Sequence, residues 1–565
     1  MADDRKMIWI PTPALTRRKF LIAGSAAAFL AACGGGDDDD DATSTTAPSG
    51  SAAPGTTGAP GTTTGATTAP GGTQPVGIKG GILRVGTLGG ANDLLDGQHI
   101  VGKSDIARQA TGWEPLLNYD PDYNVVNTDS LAEELETVAA DHYIVRLKEG
   151  LMFWDGSPVR AEDIIYSFTR MLDPEQAVFG GSALRPILDA TGLTKVDDRT
   201  VDIKLKQLVA NFNEALCAYT TAMVPEGYTR FAGDPSTQNG TGPFKLQEFE
   251  VGVQSIHTRN ENYWQPGKPY FDEVHIIDFA DNDAMVNALL ADQIDCAQDI
   301  PATAVDTLEN QGYGVLNAAG GGWLTIIMAV DQEPFTDVRV RQAMRLIVDR
   351  QAMVDEVLGG YGRIANDLFS PLDPAYIGDE LPQREQDIPA AMALLEEAGM
   401  AGMEIDLFAP NDTAGLPEMI QSFATMAAEA GVTVNPQVLD GGVYWGDEYL
   451  KRTFATDFWG TRGFLPQVAA SELPTAPYPD THWPPEGSTF IEDYNAAVAE
   501  VDLEKRKVIT DKMQTELYET GGLIIPFFQN QLDGFHLRLK GLVERANTLN
   551  LDHYGRGYKN LYFEE

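Results

Sequence analysis

The sequence predicts a mixed α/β architecture divided into more than one domain. Three observations carry that reading. The chain has 565 residues, more than one compact core holds at roughly 150 residues per domain. Strand patterns of period two alternate along it with helical stripes of period 3.6. No repeat of the solenoid kind runs through it.

The elements follow in order. Residues 81–86 (Gly-Ile-Leu-Arg-Val-Gly) read as a first strand entering a Gly-rich loop at 86–90. Residues 141–149 alternate as a half-buried strand does. A helix begins near Ala161, with Ile164, Ile165, Phe168, Met171 and Leu172 on one face. Strand patterns return at Thr200–Leu205 and Glu273–Phe279, and a helix over 282–291 follows, capped by Asp281. Asp337 suits the N-cap of a helix striped by Val340, Met344, Ile347 and Val348. Asp387, Pro389 and Gly399 punctuate another, striped by Ala391, Leu394, Leu395 and Ala398. A strand at 405–408, a helix over 418–430 and a strand at 432–434 continue the alternation.

Composition excludes several classes. Apolar residues make up 43% and charged residues 22%, ordinary for a globular chain and unlike a multi-span membrane protein. Against 83 Asp and Glu stand 40 Lys and Arg, a formal net charge of −43. Phosphate backbones and anionic lipid both require clustered cations, so no nucleic-acid partner and no basic membrane patch is expected. Three cysteines are too few for a disulfide scaffold or a four-Cys zinc site. Cys217 and Cys296 are expected to be buried free thiols.

The N-terminus reads as an address. Residues 1–33 carry five basic and two acidic side chains, and Arg17-Arg18 leads into an apolar, Ala-rich run at 20–32. That run is too short for a spanning helix, which needs about 20 residues. A basic start, a short apolar run and small residues describe an export signal, and paired arginines specify the twin-arginine route, with general secretion as the alternative. Leu30-Ala31-Ala32-Cys33 resembles a bacterial lipobox, with Cys33 the lipidated residue. Residues 34–78 are almost entirely Gly, Thr, Ala, Pro, Ser and the five aspartates at 37–41, a composition that cannot form a core and suits a disordered tether. The chain is therefore expected outside the cytoplasm, lipid-anchored to the outer face of the cell membrane or periplasmic, and held to the membrane through the anchor alone.

Catalytic and metal motifs are missing. There is no G-x-S-x-G, H-E-x-x-H, C-x-x-C or P-loop, the glycines at 86–90 lack dinucleotide-binding spacing, and no two histidines stand at helical spacing. No catalytic residue, cofactor or metal site is expected.

Six ordered motifs carry a resemblance. Gly112-Trp113-Glu114-Pro115-Leu116-Leu117 comes first, then Leu147-Lys148-Glu149-Gly150-Leu151-Met152-Phe153-Trp154-Asp155-Gly156-Ser157-Pro158. Gly240-Thr241-Gly242-Pro243-Phe244 follows, and Arg259-Asn260-Glu261-Asn262-Tyr263-Trp264 runs on to Gly267-Lys268-Pro269-Tyr270-Phe271-Asp272-Glu273. Phe335-Thr336-Asp337-Val338-Arg339-Val340-Arg341-Gln342-Ala343 closes the series. Over residues 79–565 the chain resembles the family-5 extracellular solute-binding proteins, the oligopeptide, dipeptide and nickel-binding group that serves ABC importers. Most of these motifs read as structural: Asp155-Gly156 makes a turn, Asp337 a cap, and the arginines near it pair with neighbouring acids.

The resemblance implies a two-lobed fold of the periplasmic-binding-protein type (type II, the peptide-binding cluster), with mixed sheets and the ligand in a cleft between lobes. It implies lobe I at 79–320 plus 527–565, including a smaller subdomain, and lobe II at 321–526. It implies a monomer that takes a peptide or similar solute, closes on it and delivers it to a membrane permease driven by an ATPase. The alternatives are a surface receptor that senses without transport and a surface enzyme acting on an anionic substrate.

In the peptide binders a Trp-containing loop, roughly W-x-x-D-x-x-x-P, offers an Asp to the ligand ammonium. Here Trp459-Gly460-Thr461-Arg462-Gly463-Phe464-Leu465-Pro466 stands in that place with Arg462 at the Asp position. A guanidinium opposes an ammonium and suits a carboxylate or other planar anion. Alternatively Arg462 pairs with Asp457 or Glu472, or points to solvent. Trp459, Trp323, Tyr444, Trp445 and Phe458 are candidate aromatic contacts. Gly89, in the loop at 86–90, is the candidate for backbone N–H contacts.

Overall fold

A computed structural model describes residues 79–543 and 556–564, apart from 101, 177, 179, 180, 182, 183 and 447. The expected signal at 1–33 with Cys33, and the tether at 34–78, lie outside the described residues.

The first part of the chain forms β1 (Ile82–Leu88), α1 (Lys103–Gly112), the small hairpin β2 (Asn118–Tyr119) and β3 (Val125–Val126), β4 (Ala132–Ala139), β5 (His142–Leu147), α2 (Ala161–Leu172), β6 (Leu188–Lys195), β7 (Thr200–Leu205) and the short α3 (Phe212–Ala215). Then come β8 (Phe244–Glu250), β9 (Gln254–Arg259), β10 (Glu273–Phe279), α4 (Asn282–Leu290), β11 (Cys296–Ala297) and α5 (Val305–Asn310). The 15-residue β12 (Gly314–Met328) leads to α6 (Val338–Leu346), α7 (Arg350–Leu358), β13 (Gly362–Ile364), α8 (Ile388–Glu397), β14 (Glu404–Pro410), α9 (Leu416–Glu429), β15 (Thr433–Leu439), α10 (Gly441–Tyr444) and β16 (Phe454–Trp459). Last are α11 (Phe464–Gln467), α12 (Phe490–Ala499), α13 (Leu503–Thr520), β17 (Leu523–Ile524), β18 (Phe527–Phe535), β19 (Leu539–Lys540) and β20 (Tyr562–Phe563).

One mixed sheet runs in the order β15-β14-β16-β12-β18-β11-β1-β10-β9-β8. Its centre is the antiparallel pair β12 and β18. Gly314–Ala318 pairs with Phe535–Gln531, the register shifts, and pairing resumes with Gly322 on Gln529 and Trp323 on Phe528. Beyond that shift β12 also pairs with β16, from Trp323 on Trp459 to Met328 on Phe454. Toward the other end β11, β1 and β10 are parallel. A separate antiparallel sheet, β4-β5-β7-β6, backs α2.

The buried apolar cores divide at the same place. Residues 324–527 and 323–528 build two clusters around the β14–β16 end. The other clusters draw on residues 83–308, joined by Leu532, Leu539, Tyr558 and Leu561 from the end of the chain. Ala319-Gly320-Gly321, between the two sets, belongs to none of these cores.

Local chemistry places several elements where the sequence puts them. Asp281 accepts from the Ala284 N–H at 2.8 Å, Asp337 from Arg339 N–H at 2.8 Å and Asp387 from Ala390 N–H at 2.9 Å, each capping its helix. The arginines of the 335–343 motif differ from expectation. Arg339 does pair with Asp337, at 2.5 Å. Arg341 instead donates to Thr520 O at 2.7 Å, and the fully buried Arg345 to Leu523 O at 2.8 Å and Tyr518 O at 2.9 Å. The last carbonyls of a helix lack helical donors and carry its negative end, so the C-terminus of α13 offers acceptors to these two guanidiniums. Cys217 and Cys296 are buried free thiols.

Candidate functional site

Successive residues of a strand face opposite sides of a sheet, and on β16 that separates Phe458 from Trp459. Trp459 joins its register partner Trp323, ring centres 6.2 Å apart at 26°. Trp323 stacks in turn on Phe369 at 5.9 Å, and Tyr478 meets the Trp459 ring edge-on. The Trp459 indole N–H donates to Asp480 at 2.8 Å. Phe458 lies edge-on to Trp445, which packs against Tyr444 and Tyr449. The Tyr444 hydroxyl donates to Thr456 O at 2.6 Å and the Trp445 indole to Asp412 at 3.1 Å. The five candidate aromatics therefore do not form one wall. Tyr444, Trp445 and Phe458 are spent in packing on one face, and Trp323 and Trp459 stack on the other.

Gly89 also departs from expectation. Its N–H donates to Phe279 O at 3.1 Å, and the Gly90 N–H donates to Asp93 at 2.9 Å, so both amides are used within the loop. A Cβ at Gly89 would stand 2.5 Å from Asp93 Oδ2 and 2.6 Å from Asp278 Oδ1. Below it the buried Arg108 pairs with Asp93 at 3.0 Å and with Asp278. Burial pushes the Asp278 carboxyl up to about 7, against the pull of Arg108. Gly89 is needed for close packing on a buried charge cluster.

Arg462 is exposed and lies 4.9 Å over the Trp459 ring, with Nη1 donating to Gln467 Oε1 at 3.5 Å. Of the two acids weighed as its partners, Asp457 receives the Tyr449 hydroxyl at 2.7 Å, and the buried Glu472 receives the Ser471 hydroxyl at 2.9 Å. The positive charge of Arg462 reaches the Tyr219 phenol, which belongs to the first part of the chain.

Arg462 thus stands where the two sets of cores meet. A Cβ at the next residue, Gly463, would lie 2.7 Å from Glu214 Oε2 and 3.1 Å from Asp373 Oδ2. Glu214 comes from α3, ahead of β12, and Asp373 from the loop after β13. Asp373 is held by the N–H groups of Phe464 at 2.6 Å and Ala375 at 2.8 Å. The Ala210 N–H donates to Val498 O at 2.8 Å across the same junction. Tyr119 and Tyr123 stack 4.2 Å apart beside it, and the Tyr123 phenol feels both carboxyls. Burial, then Asp373, pushes Glu214 up to about 8; the Asn211 side chain and Arg506 oppose the shift.

Sequence reading missed Glu214, Asp373, Tyr123 and Arg506. Nothing local marks them; only the long-range fold sets them around Gly463. The junction offers a guanidinium on an aromatic face, and beside it a pair of carboxyl groups. Groups of both signs can be held there, a carboxylate by Arg462 and a cation by Asp373. Among the described residues no cluster of His, Cys, Asp and Glu could hold a metal ion, and no helix is long and apolar enough to cross a membrane.

Two sets of α/β cores joined through a pair of long antiparallel strands, with charged and aromatic groups at the junction, define a binding protein of the periplasmic type II class. The pattern of the bacterial extracellular solute-binding proteins, family 5, matches residues 128–471. That is more than half of the chain, and the chain belongs to this family. It is 27% identical over 336 residues to the glutathione-binding protein GsiB of Escherichia coli (strain K12), covering 58% of this chain and 64% of that one. It is 30% identical over 283 residues to the oligopeptide-binding protein AppA of Bacillus subtilis (strain 168), covering 48% and 51%. The chain thus matches under two thirds of the length of these relatives. Among solved structures, the ABC transporter substrate binding protein CtaP of Listeria monocytogenes superposes with a TM-score of 0.74 at 20% identity, over 86% of this chain and all of that one.

Proposed function

We propose that this chain is the extracytoplasmic solute receptor of an ABC importer, capturing a peptide-like solute between two lobes and passing it to a membrane permease and its ATPase. The lobes expected from the sequence are 79–320 with 527–565 and 321–526; Phe527 and Phe528 pack with the second core set, which favours a return crossing just after Phe528. A lipid on Cys33 and the tether at 34–78 would hold the receptor at the outer face of the membrane. The protein works by binding and closure, with no bond made or broken in the solute; a ligand touched from both sides stabilises the closed form.

One observation carries this reading. Glu214 of the first core set meets Gly463 and Asp373 of the second, next to an exposed Arg462. Chemistry gathered at a junction joined by few strands is what a closing binding protein requires. The relatives named for oligopeptides and for glutathione, a tripeptide with two carboxylates and one ammonium, support a peptide-like solute. Arg462 supports one anchored through a carboxylate, with Trp459 and Trp323 backing the guanidinium.

The test is a thermal-shift screen of the full chain against glutathione, di- to pentapeptides, acidic amino acids and neutral sugars. Carboxylate-bearing peptides should raise the melting temperature, and Arg462→Asp should abolish the rise. Equal stabilisation by sugars, or a response indifferent to Arg462→Asp, would refute the assignment.

A further inference from the structure

Glu214 and Asp373 have no need to be near one another for either core to fold. Each belongs to a different set of cores: Asp373 is tied beside Gly463 within its own set by the Phe464 N–H, and only apposition of the two sets brings Glu214 there. Two carboxyl groups in so close a space cannot both ionise without repulsion. The groups facing Glu214 leave that repulsion largely standing. Asp373 confronts it from the loop after β13, and Tyr119 and Tyr123 face it from the β2–β3 hairpin as neutral phenols. Cys217, on its own segment, is a neutral buried thiol. The Asn211 side chain donates to it, and Arg506 from α13 is the positive charge acting on it. Asp373 keeps its two backbone donors, from Phe464 and Ala375.

We propose that the Glu214–Asp373 pair is a proton-operated catch on closure: apposition of the two lobes takes up a proton at Glu214, and loss of that proton drives them apart. This rests on the two-lobe reading above. It adds that solute affinity is coupled to the pH outside the membrane, since a solute that binds the closed form loses affinity as that form loses population.

The sign follows from the direction of the shift. Opened, Glu214 is an ordinary carboxyl near 4.5; apposed, it is raised to about 8. Below 4.5 both forms are protonated and closure is independent of pH. Between these limits closing needs a proton, and the closing constant falls by up to about tenfold per pH unit. Above 8 both forms are ionised and the dependence ends.

The test uses the full chain with Cys33→Ser and with dyes on Val196→Cys and Val443→Cys, two exposed positions, one on each side of the junction; Cys217 and Cys296 are buried. Distance between the dyes is read by energy transfer from pH 5 to 9 without solute. Wild type should open progressively from pH 5 to 8 and then level off, by at least about tenfold in the closing constant. Glu214→Gln should stay closed throughout. Opening that is identical in Glu214→Gln, or a wild-type distance that does not move with pH, overturns the catch. Gly463→Leu reads the lobes separately, because its side chain would wedge against Glu214. If that variant lengthens the distance while wild type ignores pH, the catch is wrong and the two lobes stand. If neither moves, the two-lobe reading fails with it.

Discussion

Trp323 and Trp459 stand opposite one another on adjacent antiparallel strands, their rings 6.2 Å apart and nearly parallel. Trp323 is 1% and Trp459 4% exposed. The pair lies on the second side of the junction, with Arg462 over the outer ring. It is a buried platform that holds a charged group at its edge. Trp459→Ala should therefore cost about 3–5 kcal/mol of folding stability, as large-to-small core changes of aromatics do. Denaturant unfolding of both variants checks this: Trp459→Phe should recover most of the loss, and an alanine variant within 1 kcal/mol of wild type would show that the platform is not packed as described.

Arg345 carries a different structural load. It is fully buried and bound to carbonyls at the end of α13 and on β17. Methionine there fills a similar volume but leaves those oxygens unsatisfied, at roughly 1–3 kcal/mol for each unpaired group. Arg345→Met should lower the urea midpoint markedly, and hydrogen exchange should show the loss at the last turn of α13. A uniform loss of protection across the chain would argue against a helix-end role.

Legibility in the sequence followed how local each signal was. β7 and β10 carry alternating side chains, and α8 has an Asp cap, a Pro in its first turn and a Gly beyond its end; all three were readable from the residues alone. β12 was not. Its middle is Ala318-Ala319-Gly320-Gly321-Gly322, which has no strand propensity. Long-range pairing with β18 and β16 makes it a strand. At the junction, Arg462 and Trp459 were found through the resemblance, while Glu214 and Asp373 were invisible because no pattern within either segment points to the other. Tyr444, Trp445 and Gly89 show a further limit: residue type says that a group can bind a ligand, and only packing shows which internal contacts it already makes.

Glu472 gives a pH prediction independent of the junction. It is 1% exposed and bonded to Ser471, and burial raises its carboxyl from 4.5 to about 7. Below about 4.5 it is protonated in both folded and unfolded chains, so its stabilising share is complete. As pH climbs toward 7 the unfolded chain ionises first, and that share is lost, on the order of 3 kcal/mol in full. Glu472→Gln should match wild type at pH 4 and exceed it at pH 8 in urea unfolding. A gap that instead widens toward low pH would reverse the assignment.

Arg462 is the residue on which solute chemistry turns. Arg462→Ala should weaken a carboxylate-bearing peptide by about 30-fold or more, from roughly 2 kcal/mol for losing one partner of a desolvated charge pair. Arg462→Lys should restore part of it, since a point charge lacks the two-pronged geometry. Titration calorimetry of the three proteins with one peptide and its C-terminal amide checks both statements. The amide should bind wild type no better than the acid binds Arg462→Ala.

The most direct test of the receptor account is calorimetric titration of the full chain with glutathione and short peptides, followed by recovery of the bound solute. The account predicts saturable one-to-one binding, stabilisation of about 2.7 kcal/mol at a hundredfold excess over the dissociation constant, and a solute recovered chemically unchanged. Failure of every peptide to bind, or release of the solute as a cleaved or altered product, would contradict it.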